Sequence, residues 1–192
     1  MLSDLVTART DAEPAVASTA RWGVGAVKGD DDMKDSSSPV CSAKDADDAY
    51  MGYASREEIV EFLNVLLEAE RAGARVTLST TIEAAEPELR ALAKSIHQDE
   101  AHWCGVLFGA VRRLGGVPSL RTGAFHDKAM AIVDLRMRLA FLNRGQEWVV
   151  HKLREMLPKV KDEELYGKLN EMLTAHERNI ERVAGSGLVK PP

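Results

Sequence analysis

The octapeptide HQDEAHWC, residues 97–104, places His97, Asp99, Glu100 and His102 within about two turns of a segment that reads as helix. Asp99 and His102 are three residues apart and so share a face. Elsewhere Glu70 lies on an apolar stripe with Leu63, Leu66 and Gly73, and His176 lies on another with Leu169, Met172 and Val183, with Glu177 beside it. Gln146 and Glu147 reach the apolar edge of a further such segment, with His151 one turn on. An ionised group on a buried stripe costs several kcal/mol unless it is paired or bound to a cation. Carboxylate oxygens and imidazole nitrogens together suit a first-row transition metal. The chemistry these residue types allow is therefore metal binding inside a helical core.

Four elements must position them. Ser55 and Glu58 form a capping box, and Ile59, Phe62, Leu63, Leu66, Glu70, Gly73 and Val76 recur at helical spacing, predicting a helix to about Ile82. Pro87 opens a second helix on the stripe Leu89, Leu92, Ile96, Asp99/Glu100, Trp103, Leu107, Ala110, which Gly115 and Gly116 stop. A third helix is expected from near Asp127 to Pro158, and Asp162 caps a fourth that ends at Gly185. No strand pattern interrupts them. The expected fold is all-α, an antiparallel four-helix bundle over residues 55–185. The turn-rich link from Gly115 to His126 is long enough to run the length of that bundle: about ten extended residues reach roughly 33 Å.

At this point the chain resembles the ferritin-like superfamily. Its pattern is one inward Glu on each of two helices and Glu-x-x-His on each of the other two. DEAH at 99–102 is similar to the second-helix motif with Asp in place of Glu, Glu70 in LLEAERAG to the first-helix carboxylate, and Glu147 in FLNRGQEWVV to the third. Together with RRLGG and AHERNIERV, these words resemble a bacterial family of small ferritin-like proteins of unknown function. The resemblance implies iron or manganese in the bundle core, serving redox chemistry. Helix four departs from the pattern, because Leu173 stands where an acid should precede His176. The expected site is thus one strong ion, or a lopsided pair with a weak second ion, and a mononuclear site would be built from Glu70, Asp99, His102 and His176, with Glu147 or Glu177 adding an oxygen.

A metal-free reading stands beside it. Glu70 can pair with an inward arginine, Arg144 or Arg178, and Glu100 can lie at the helix edge. The protein is then an interaction or homo-oligomerisation module whose buried charges fix helix register. His97, His126 and His151 read as surface, turn and boundary residues, and Trp103, Trp148 and Cys104 as core-filling ones.

Composition narrows the classes. Residues 1–50 carry ten acids and five bases, while the remainder carries twenty of each, so the net charge of −5 belongs to the first segment. No basic stripe suits nucleic acid and no apolar run suits a membrane. Residues 1–54 read as a disordered acidic segment and 186–192 as a tail. Whether residues before Met33 or Met51 belong to the native chain stays open. Cys41 and Cys104 make no disulfide framework or zinc spacing. With no secretory leader pattern at the N-terminus, a cytoplasmic protein is expected. No motif names a substrate.

Overall fold

The computed structural model describes residues 51–188, and these form helices without any strand. The expectations for residues 1–50 and for 189–192 lie outside the described residues.

Helix α1 spans Arg56–Glu83 and begins at the anticipated capping box, with Ser55 and Glu58 each accepting from the other's backbone N–H. Helix α2 spans Pro87–Arg113. It stops at Gly115, whose φ of 71° is a left-handed conformation that a side chain would strain. The third expected helix is two. A short α3, Phe125–Met130, is followed by a break, and α4 runs Leu135–Met156. No glycine or proline marks that break. Asp134 makes it, its carboxylate accepting from the N–H groups of Arg136 and Met137. Arg138, nearly fully buried, secures it by donating to the Ile132 carbonyl and pairing with Glu83. Helix α5 spans Glu163–Gly185, capped by Asp162 as expected.

Residue contacts order the long helices. The first turn of α1 meets the end of α2, where Arg56 donates to the Leu114 carbonyl. The start of α4 meets the end of α1 and the start of α2, through Arg138–Glu83 and Arg136–Glu86. The end of α5 meets the first half of α2, where Arg182 bonds Ser95 and Asp99. The 115–124 link runs along α1. Asn64 holds Val117 and Ser119, and the Arg71 guanidinium donates to the carbonyls of Ser119 and Arg121.

Burial divides the interior into two apolar clusters. One gathers Leu63, Leu66, Leu67, Trp103, Leu107, Leu153, Leu169 and Met172, and the other Val76, Ala93, Ile96, Leu139, Leu142 and Val183. Along every long helix the change from one cluster to the other falls at a buried polar residue: Glu70, Glu100, Gln146 and His176, the last followed on α5 by buried Asn179.

Candidate metal site

That polar layer is the candidate site. Glu70 is 0% exposed, Glu100 4% and His176 1%. One ligand-type atom from each lies within 4.8 Å of those of the other two. His176 Nε2 stands 3.2 Å from Glu70 Oε1, and the other ring nitrogen, Nδ1, is 3.0 Å from the Met172 carbonyl. A carbonyl only accepts, so Nδ1 carries a proton, and in the neutral ring the Nε2 lone pair then faces the carboxylate. Gln146 closes the fourth side, its Nε2 donating to Glu100 Oε1 at 3.4 Å. Glu70 Oε2 and Gln146 Oε1 are buried without a hydrogen-bond partner.

The helices are shaped around this group. A Cβ on Gly73 would fall 2.3 Å from Glu100 Oε2 and 2.6 Å from its carboxyl carbon. Only a residue without a side chain leaves the Glu100 carboxylate its place, one turn along α1 from Glu70.

Two buried carboxylates so close cannot both stay ionised without a counter-charge. Burial, and then the Glu70 charge, hold the Glu100 carboxyl well above the usual carboxylate range. For His176, burial pushes the pKa down, but the Glu70 carboxylate and its hydrogen bond outweigh it and leave the imidazole raised. Cys104, half-buried nearby, is pushed up to about 12 by burial and then by the charges of Glu70 and Glu100, so it stays a thiol near neutral pH.

The structure brings together two of the sequence-derived candidates, Glu70 and His176, and does not bring the other four to them. Asp99 is half-buried and pairs with Arg182, so its charge reaches Glu100 and His176 only through space. His102 is exposed, its ring edge-on to Trp103. Glu147 is exposed, and Glu177 pairs with Arg154. The inward face of α2 is therefore displaced by one residue from the expected Asp-x-x-His, and Glu100, read from sequence as an edge residue, is the carboxylate inside. The arginine partners suggested for Glu70 are absent too: Arg144 and Arg178 are exposed, and His176 takes that place. Among the described residues no second group of three such donors converges.

A cavity of about 560 Å³ reaches the site from the surface between α1, α4 and the 122–125 link. Glu70, Glu100, Gln146 and His176 line its inner end, and Val65, Ala69, Phe125, Phe141 and Trp148 its walls. The layer is thus reachable by a small molecule, although each of its residues is buried.

Compared with known proteins, residues 57–185 match the family described as a domain of unknown function (DUF6306). No curated protein and no solved structure matches the chain.

Proposed function

We propose a function for a chain that belongs to the DUF6306 family, a domain of unknown function, from the chemistry of its buried layer: it binds one iron or manganese ion through Glu70, Glu100 and His176 and uses it in redox chemistry. The observation that carries this is the unpartnered Oε2 of Glu70, buried beside a second carboxylate and an imidazole, with no arginine or lysine ion-paired to either carboxylate among the described residues. The donors fit an ion. Two ligands each about 2.1 Å from a metal stand about 3.4 Å apart in a tetrahedral arrangement, so the three atoms, which lie within 4.8 Å of one another, would draw together by up to about 1.4 Å on binding, a movement within reach of side-chain rotation. The Met172 carbonyl fixes the His176 tautomer that offers Nε2, as a supporting hydrogen bond does in metal sites. When bound, such an ion activates dioxygen or peroxide as a Lewis acid and electron source. The chain's own residues hold it, flank it on both sides with the two apolar clusters, and leave Gln146 as a neutral hydrogen-bonding wall.

The helix order supports reading the fold as a ferritin-like, antiparallel four-helix bundle. The helices α1, α2, α4 and α5 would form it, with the 115–124 link as the crossover. Laid on the superfamily pattern, α1 keeps its carboxylate in Glu70 and α2 its carboxylate in Glu100, followed by Trp103 in place of histidine. Helix α4 carries the neutral Gln146, and α5 keeps His176 without the acid. Three of six donors remain, which is the supply for one ion rather than two.

The alternative reading, a metal-free module, draws on the raised proton affinities: a proton shared by the carboxyls and a second on His176 would neutralise the same layer. Stability against pH separates the two. Glu100 and His176 both bind protons more tightly folded than unfolded, where their ordinary values are 4.5 and 6.5. The native state therefore holds more protons, and stability falls as pH rises, from above 4.5 for Glu100 and through the raised His176 value for the imidazole. Carboxylates held low by their bonds, such as Glu68 and Asp162, are ionised in both states above about pH 5.5 and add no slope there. The metal-free protein should lose Tm as pH rises from about 5.5 through and beyond the ordinary imidazole range. Mn²⁺ at 100 times its Kd should restore about 2.7 kcal/mol, seen as a Tm rise of several degrees at the upper end. A Tm unmoved by Mn²⁺ and Fe²⁺ across that range would favour the proton-neutralised module.

A further inference from the structure

The cavity above the layer has two unlike ends. Its inner end carries the Glu70 and Glu100 carboxyls, and its walls are Val65, Ala69, Phe125 and Phe141, the last two rings stacked at 4.9 Å. Its outer end carries Glu68 and Arg144 beside the 41%-exposed Trp148. Glu68 is already neutralised, accepting from Ser119 and Arg121. Arg144 has no carboxylate partner among the described residues, and its guanidinium rests over the Phe141 ring at 5.2 Å. The mouth thus presents one uncompensated cation on an aromatic face, and the interior is apolar until the acidic layer.

We propose that this cavity binds an amphipathic monocarboxylate. Its hydrocarbon body lies between α1 and the Phe125–Phe141 pair, its carboxylate against Arg144, and its far end toward Glu70 and His176. The orientation follows from the guanidinium at the mouth, which attracts an anion, and from the apolar walls between it and the layer, which suit hydrocarbon and would strip a carboxylate of its solvation. The volume of about 560 Å³ lies within the range typical of small-molecule sites. As a statement about substrate class, this inference rests on the metal reading of the layer; as a statement about binding, it does not.

Titration calorimetry with octanoate and with 1-octanol, on metal-free and Mn²⁺-loaded protein, tests it. Octanoate should saturate at one molecule per chain. Arg144→Gln should weaken octanoate about tenfold while leaving 1-octanol unchanged. Ala69→Phe, which fills the cavity, should abolish binding of both. Val65→Phe at the exposed wall provides the same block should Ala69→Phe fail to fold. Heats that never saturate, or octanoate binding unchanged in a folded blocking variant, would overturn the pocket. Equal octanoate affinity in wild type and Arg144→Gln would overturn the anion assignment. Octanoate binding to a protein that takes up no metal would refute the metal reading and support the pocket, whereas metal uptake without octanoate binding would refute the pocket alone.

Discussion

Replacing His176 with Ala is expected to abolish metal binding and to lower the stability of the metal-free protein by about 3–5 kcal/mol. Both members of the His176–Glu70 pair are almost wholly buried. Removing the imidazole strips Glu70 Oε1 of its partner when Oε2 already has none, leaving the carboxylate facing only Glu100 and Gln146. The Nδ1 bond to the Met172 carbonyl is lost as well. Urea denaturation and metal analysis of the same preparation read both effects. His102→Ala is the control on the opposite side of the argument. That side chain is exposed and touches only Trp103 among the rings, so its loss should stay within about 0.5 kcal/mol and leave metal content intact. Retention of metal by His176→Ala, or its loss from His102→Ala, would contradict the geometry proposed for the site.

Gly73→Ala should separate site from fold. In the middle of α1 alanine favours helix over glycine by about 1 kcal/mol, so a purely structural view expects a small gain in stability. The new methyl, however, would stand 2.3 Å from Glu100 Oε2, far inside contact distance. The flexible end of Glu100 must move, and its placement relative to Glu70 and His176 is then lost. Metal affinity should fall by up to about 100-fold, the scale seen when a ligand's support is disturbed, while the metal-free protein stays within about 1 kcal/mol of wild type. Gly105→Ala in α2 places its methyl in open space and should leave affinity unchanged. Calorimetric Mn²⁺ titration of both variants measures the difference. Equal affinities for Gly73→Ala and wild type would mean that Glu100 holds no metal.

Much of this was legible from residue order. The caps at Ser55 and Asp162, the proline at the start of α2 and the glycines at its end are local signals, and they place helix boundaries within a residue or two. Glu70 and His176 are legible because each is the sole charge on an otherwise apolar stripe. The start of α4 is not, since Asp134 serves equally as a helix residue or a cap until packing decides. The error on α2 has a definite cause. The larger Leu92 drew the stripe onto the phase of Asp99, whereas the side chain fully buried there is Ala93. From Leu89 through Ala93, Ile96, Glu100, Trp103, Leu107 and Ala110 the buried residues alternate by four and three, and that rhythm selects Glu100 without reference to any motif. The attraction of Asp-x-x-His as a ligand spacing hid it. The role of Gly73 was beyond sequence, because it depends on a side chain from another helix occupying the space a Cβ would take.

The central claim is that the Glu70–Glu100–His176 layer holds a single metal ion, and elemental analysis of the full chain purified from iron- and manganese-replete cells tests it most directly, with Glu70→Gln/Glu100→Gln as the comparison. Three converging donors, with Asp99 and Glu177 engaged by arginines, predict iron or manganese approaching one per chain in wild type and none in the double variant. Two ions per chain, or equal metal in both proteins, would contradict the account. So would a wild type that stays empty after reconstitution, which would leave the buried layer as a proton-sharing network.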